Sequence, residues 1–336
     1  MKANKLRSHW SIFRIFIQNL GNALNIKKHD LQDINNEETV SVVVPFYGVE
    51  PYIKECIDSL LCQTHSNLEI LCIDDCSPDN SLEIVRAYAE KDSRIKIIRH
   101  KSNLGLGGAR NTGIKYATSR FICFVDSDDY VSDRFVELLY NTIRKEKSDM
   151  VICGFWLFKK NGEKFTCHAE YKNETFIIEK NKNNVAHVAE EYRGATWLKM
   201  YKRNLLIDNN IVQPERSYYE DVVFWLKCVF YSTRISTISD RLYYYRLRSD
   251  SIMSTLSYKH IDDRIKFIAE IDAFIKDKIL TLPDACRSKI KNDAKSYIQN
   301  HIDYGKTLIN DSNIENKEKL ANYYKERLRE LTIICE

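Results

Sequence analysis

The chain of 336 residues is 44% apolar and 29% charged, with ten glycines and five prolines, which excludes a disulfide-stapled peptide, a collagen-like or low-complexity polymer and a wholly disordered protein. Its net charge of +4 comes from 51 basic and 47 acidic residues, too even a balance to mark a nucleic-acid binder. Six of those bases and none of the acids lie in residues 1–28, so the remainder carries −2 and the basic surplus belongs to the first segment.

Residues 1–28 are predicted to form an amphipathic helix, with Trp10, Phe13, Ile17, Leu20 and Leu24 on one face. A cationic helix of this kind suits either an anionic membrane surface or a packing face on the body or a partner. Its apolar stretch WSIFRIFI is interrupted by Arg14 and is far short of the roughly 20 residues a membrane span needs. No signal-peptide cleavage pattern follows it. Residues 29–39 read as a polar linker.

From residue 40 strands and helices alternate. VSVVVPF (40–46) is a strand, and Pro51 opens a helix with Ile53, Ile57, Leu60 and Leu61 on one face. LEILCID (68–74) is a second strand, followed by a helix through Leu82, Val85, Tyr88 and Ala89. IKIIRH (95–100), a Gly-rich loop with its helix (103–118) and FICFVD (121–126) complete the series. Apolar strands joined by helices imply a mostly parallel α/β sheet, which binds ligands beyond the carboxyl ends of its strands. Further on come a strand at 149–158, a hairpin turn at Asn161-Gly162, an apolar helix at 220–230 and two strands in RISTIS and RLYYYRLR. Helical periodicity follows from about residue 257. The expected organisation is an N-terminal helix and linker (1–39), an α/β domain (40–255) and a C-terminal helical region (256–336).

The ten cysteines include no CxxC pair, and several, such as Cys72 and Cys123, sit inside strands as small apolar side chains. A reducing, cytoplasmic setting is expected. The eight histidines show no zinc spacing.

VDSDD (125–129) directly follows a strand, so Asp126 and Asp128 can face one hard cation, Mg2+ or Mn2+. The alternative is a solvated turn, with Asp133 capping the next helix. NLGLGG resembles a dinucleotide loop, but its sixth position is Arg110 rather than Gly, which argues against NAD. Sugar-1-phosphate nucleotidyltransfer would need a basic Gly-rich loop after the first strand, and PFYGVEPY has none.

Taken in order, VSVVVPFY (40–47), IDDCSPDN (73–80), NLGLGGARNTG (103–113), VDSDD and YYED (218–221) make the chain resemble the family 2 glycosyltransferases of GT-A fold, over about residues 40–250. The resemblance implies an inverting, metal-dependent transfer of a sugar from a nucleotide-sugar donor. It places Pro45 and Tyr47 around the base, Asp75 on the uracil ring and Asp126 beside the ribose, with Ser127 in the same donor-binding turn. It assigns Asp128 to the metal, Mn2+ or Mg2+, and Asp221, with Glu220 beside it, to the catalytic base. Arg246, Arg248 and Ser251 are candidates to close over the diphosphate, against the alternative of an edge strand with solvated arginines. Two positions depart from the pattern: Gly48 stands where Asn is usual and Cys76 where Gly is usual.

Each role has an independent chemical rationale. A carboxylate can accept the imide N–H of uracil, a cation stabilises the departing diphosphate, and a carboxylate must take the acceptor's proton. Arg110 offers charge to the donor or an ion pair to the acidic cluster. Trp197 is either an acceptor platform or a core residue. The expected partners are a UDP-sugar and a glycan or lipid-linked oligosaccharide acceptor in bacterial surface-polysaccharide synthesis, with peripheral membrane contact through residues 1–28. A catalytically idle nucleotide-sugar-binding or scaffold module is the alternative.

Overall fold

The run VSVVVPF is buried along its whole length and forms the central strand β1 (Val40–Phe46), as a strand covered on both faces must be. In the computed structural model, which describes residues 38–158, 164–165, 171–178, 182, 184–192, 194–248, 256–311 and 317–331, β1 pairs in parallel with β2 (Leu68–Asp74) on one side. On its other side lies β4 (Phe121–Phe124), and β3 (Ile95–Arg99) lies outside β2. The crossovers are the helices α1 (Ile53–Leu61), α2 (Ser81–Ala89) and α3 (Gly105–Tyr116). Helix α1 turns Ile53, Cys56, Ile57 and Leu60 onto the sheet with no exposure. Each such aliphatic side chain stabilises the fold by about 1.5–3 kcal/mol. Cys72 and Cys123 are buried strand residues as expected, and the eight cysteines among the described residues are all free.

The second half adds β5 (Tyr130–Val131), α4 (Phe135–Lys145), β6 (Met150–Phe158), β7 (Lys164–Phe165), β8 (Glu174–Ile177), α5 (Val185–Glu191), β9 (Lys199–Lys202), α6 (Arg203–Asp208), α7 (Glu220–Tyr231) and β10 (Arg234–Arg246). Among the described residues the main path of the sheet runs β3-β2-β1-β4-β9-β6-β10-β5, with β7 on β6 and β8 on β10. The sheet is mixed but mostly parallel in its first half, and β9 enters antiparallel between β4 and β6. Strand β9 has no counterpart among the sequence-predicted elements. Its sequence KMYK looks like surface, yet Lys199 is fully buried.

RISTIS and RLYYYRLR form one strand rather than two. β10 runs parallel to β6 throughout, with the pairing slipping between Thr237 and Tyr243, so the break expected from the sequence is a bulge and not a turn. The turn predicted at Asn161-Gly162 lies outside the described residues, although Leu157 and Phe158 pair antiparallel with Phe165 and Lys164 around it. The predicted N-terminal helix also lies outside them.

Three helices end the chain: α8 (Tyr258–Ile279), α9 (Asp284–Asp311) and α10 (Lys317–Arg329). Ser257 and His260 form a reciprocal capping box at the start of α8, supplying partners for otherwise orphaned N–H groups. Phe267, Ile268 and Ile271 of α8, with Ile298 and Ile302 of α9, join the core of the sheet domain. From Val40 onward the chain forms one compact unit. Among the described residues no helix is long and apolar enough to cross a membrane.

Candidate functional site

The carboxyl ends of β1, β2 and β4 open into a cavity of about 1400 Å³, whose lining includes Pro45, Tyr47, Asp75, Arg110, Asp126, Ser127 and Asp128. Glu220 and Asp221, at the start of α7, line the same cavity. These nine sequence-predicted site residues are therefore brought together, and the further candidates Arg248 and Trp197 also line the cavity. Arg246 does not line the cavity, and Ser251 lies outside the described residues.

Asp75 follows β2 and is buried. Its carboxylate accepts the backbone N–H groups of Leu104 and Gly105, each at 2.8 Å, and contacts His100 Nδ1 at 2.7 Å. An ionised carboxylate has about four acceptor positions, so about one is left for a ligand. The turn after Asp75 needs a left-handed residue, and Cys76 occupies it at φ 68°. That conformation is why glycine is usual there. Gly48, at φ 62°, likewise keeps a conformation that Asn also tolerates, so both departures preserve the backbone path.

The acidic turn is held from behind by β10. The Tyr243 hydroxyl accepts the Asp126 N–H at 3.0 Å and donates to Asp129 at 2.8 Å, while the Arg246 N–H donates to Asp129 at 2.7 Å. Arg246 donates through Nε to the Asp128 carbonyl at 2.7 Å and pairs with Glu55, its guanidinium lying against the rings of Tyr52 and Phe158. It is a brace for the turn, whereas Arg248 lines the cavity and pairs with the Asp128 carboxylate at 3.0 Å. Burial first, and then the neighbouring Asp126, raise the Asp128 carboxyl above its ordinary range. Burial, Asp128 and Asp126 push Asp129 well above it.

These properties bear on a cation. Among the described residues no cluster of three or more His, Cys, Asp or Glu side chains forms a metal cage. Mg2+ and Mn2+ commonly take one or two carboxylates and complete their shells with substrate phosphates and water. A crowded carboxylate whose charge is disfavoured, at the edge of a donor-sized cavity, fits that role, with Asp128 as the holder and Asp126 beside it.

Arg110 links the two walls. It is buried, donates to Asp126 at 2.8 Å and to Glu220 at 2.9 Å, and reaches Gln213 at 3.3 Å. Of the two roles open to it from the sequence, the ion pair is formed, and Arg110 also lines the cavity. Its neighbour Asn111 makes a reciprocal pair with the backbone of Gln213: Nδ2 donates to the carbonyl at 2.7 Å and Oδ1 accepts the N–H at 2.9 Å. Residues about a hundred positions apart are thereby fastened as if in a ladder. A Cβ on Gly107 would lie 2.3 Å from the Pro214 carbonyl oxygen, so the close approach of this segment requires glycine. Tyr219 then adopts a left-handed conformation, φ 60°, immediately before Glu220. A strained tyrosine there is the kind of cost that accumulates beside functional groups.

Burial raises both Glu220 and Asp221 against the opposing charge of Arg110; Asp221 adds to the rise of Glu220, and Asp126 adds to both. Glu220 is committed to Arg110; among the described residues Asp221 forms no ion pair. Lys199 of β9, absent from the sequence-predicted site, is buried, donates to the Ala195 carbonyl and lies 4.6 Å from the Trp225 ring. Burial lowers its ammonium to about 7, and Asp221 acts against that shift. Trp197 touches the cavity but is 92% covered, packed against Tyr243, Tyr245 and Phe155, so it serves mainly the core.

Comparison with known proteins gives a consistent set of likenesses. The sequence profile described as glycosyl transferase family 2 matches residues 41–206. Glycosyltransferase EpsJ of Bacillus subtilis is 36% identical over 66% of this chain and 64% of its own length, just under two thirds. Glycosyltransferase GlyG of Streptococcus pneumoniae is 32% identical over 65% of this chain and 74% of its own. The crystal structure of Staphylococcus aureus TarS residues 1–349 in complex with UDP-GlcNAc superposes with a TM-score of 0.67 at 25% identity, covering 87% of this chain and 81% of that one.

Proposed function

Since the chain belongs to glycosyl transferase family 2, we propose that it is an inverting transferase that moves a sugar from a UDP-sugar to a hydroxyl of a glycan acceptor in bacterial surface-polysaccharide synthesis. One observation carries this reading: Asp75, the Asp126–Asp128 turn and the Glu220–Asp221 pair share one cavity, with Arg110 bonded to both Asp126 and Glu220. The solved relative with UDP-GlcNAc supports the uridine class.

In this mechanism the uracil imide donates to the remaining acceptor position of Asp75, with Pro45 and Tyr47 around the ring and Asp126 and Ser127 at the ribose. A divalent cation held by Asp128 would neutralise charge on the diphosphate as it leaves. Arg248, now paired with Asp128, supplies a cation to the same phosphates. Asp221 accepts the proton of the acceptor hydroxyl, whose oxygen forms a bond to the anomeric carbon. The bond from that carbon to the diphosphate oxygen breaks on the opposite face, UDP takes the electron pair, and the configuration inverts. Glu220 is the weaker candidate for base because Arg110 already holds it. The raised position of Asp221 brings its basicity closer to working pH, which is what a general base needs.

Thermal shift with a panel of nucleotides and nucleotide sugars, with and without Mn2+, tests the donor assignment. Stabilisation by UDP and UDP-sugars, enhanced by Mn2+, is expected; no response to any nucleotide would refute it.

A further inference from the structure

Helix α9 contributes to the cavity at positions spaced as one helical stripe. Tyr297, Asn300, His301 and Tyr304 lie at i, i+3, i+4 and i+7, the spacing that aligns side chains along a single face. Residues between and beyond them, Ala294, Ile298 and Ile302, are buried in the core. The stripe sits on the cavity that Glu220 and Asp221 also line, and the Tyr297 hydroxyl feels the charges of Glu190 and Asp221.

The chemistry of the stripe is aromatic and uncharged. Tyr297 and His301 meet edge to face at 4.8 Å, Tyr304 leaves 56% of its surface exposed, and Asn300 donates to Glu190 at 2.9 Å. Burial, with Arg264 adding to it, lowers His301 to about 4, so its ring is neutral at working pH. Cations also lie nearby: Lys259 pairs with Asp263 and donates to the Arg216 carbonyl, Arg216 Nε donates to the Asn103 carbonyl, and the buried Arg264 donates to the His301 carbonyl behind the stripe, 5.5 Å from the Tyr304 ring. Of the carboxylates lining the same cavity, Glu220 is paired with Arg110, while Glu190 and Asp221 form no ion pair among the described residues.

We propose that this face of α9 is the subsite for the acceptor sugar, and that it takes an uncharged pyranose. Aromatic rings offer apolar surface to the C–H face of such a ring, and a few placed polar groups fix its orientation. An anionic acceptor unit would bring its charge against these uncharged rings and the unpaired carboxylates Glu190 and Asp221, which selects against it. The inference rests on the transferase reading, and it supplies what that reading lacks, a place for the acceptor next to its base.

The test is saturation-transfer NMR on the full chain, with and without UDP, using methyl glycosides of glucose, galactose and N-acetylglucosamine against methyl glucuronide and glucose 6-phosphate. At least one neutral glycoside is expected to bind, with the anionic probes at least five-fold weaker. Tyr304→Ala and Asn300→Ala should each weaken the neutral glycoside at least five-fold, and Tyr304→Phe should retain it. Absence of neutral-glycoside binding, equal binding of the anionic probes, or indifference to Tyr304→Ala would each overturn the proposal. UDP affinity is read separately: its absence in the unaltered protein would refute the donor assignment and leave the glycoside result to decide this one.

Discussion

Replacing Arg110 by Met removes the guanidinium bonded to both Asp126 and Glu220 while keeping most of the side-chain volume. At an effective dielectric of about 20, each pair at these distances is worth about 6 kcal/mol of attraction, and the arginine's own desolvation offsets much of the total. Breaking a buried pair by removing one partner costs about 3–5 kcal/mol, because the other charge stays behind. For the unit spanning Val40–Glu336 that corresponds to roughly 5–8 °C in Tm. Arg110 is 98% covered and its two partners are 83% and 88% covered, so solvent cannot replace it.

The pH dependence of the loss separates an electrostatic cause from a packing defect. Burial already raises Glu220 and Asp221, and without Arg110 they rise further. A carboxyl whose folded pKa exceeds its unfolded value destabilises the fold as pH climbs between the two, and contributes no such loss below the unfolded value. The deficit of Arg110→Met relative to the unaltered chain should therefore be greatest near pH 8 and shrink toward pH 5. Chemical denaturation across that range, at fixed salt, measures it. A deficit below about 1 kcal/mol, smaller than the range for a broken buried pair, or one that stays constant with pH, would refute the account of Arg110 as the charge linking the two walls.

Four further outcomes are expected. Asp221→Asn should lower the rate of sugar transfer by at least about 100-fold, within the range for a lost general base, with UDP affinity retained, and in the unaltered enzyme the acid limb of kcat/KM should lie above the ordinary carboxylate range because burial raises this pair; an acid limb near 4 would contradict this. Asp128→Asn should abolish the Mn2+ enhancement of UDP binding, measured by calorimetry, without lowering Tm at pH 8, since the charged carboxyl is disfavoured where it stands. Gly107→Ala should cost about 1–3 kcal/mol by overpacking and lower kcat with it, because the added methyl meets the Pro214 carbonyl that leads to Glu220; an unchanged melting curve would show that the contact yields. Cys76→Gly should stabilise by up to about 1.6 kcal/mol, the balance of about 1–2 for relieving a left-handed residue and about 0.4–1 for the freer unfolded chain, visible as a rise in Tm.

The sheet's first half was legible because VSVVVPF, LEILCID and FICF are buried on both faces, and such strands are nearly pure apolar runs. Their polar ends had to lie at one edge of the sheet, which is why Asp75, Asp126 and Asp128 could be placed in one crevice. β9 escaped because Lys199 and Lys202 mimic a surface segment. The union of RISTIS with RLYYYRLR escaped because Ser239, Asp240 and Arg241 look like a turn when they form a bulge. Arg246 and Arg248 lie two positions apart, and only three-dimensional packing shows which one braces the acidic turn and which one enters the cavity. The Asn111–Gln213 pairing, and the meeting of the α9 stripe with Glu220 and Asp221, join positions far apart in the chain, and local periodicity carries no information about such meetings.

The stitching of α3 to the segment before α7 divides the labour of the chain along its length. The proposed nucleotide contacts other than Arg248 come from residues 45–128, while the base and the proposed acceptor face come from residues 220–304. Their direct polar connections run through the Arg110 and Asn111 bonds to Gln213 and Glu220, and through Tyr243, Arg246 and Arg248, which hold the acidic turn. A hybrid enzyme that keeps this donor half and takes its acceptor half from another relative therefore has a short list of positions to conserve at the seam: Gln213, with its backbone register against Asn111, Glu220, and the Tyr243, Arg246 and Arg248 that hold the acidic turn. With those retained, the remaining acceptor wall is open to exchange, and a new glycan specificity could be grafted without rebuilding the nucleotide site.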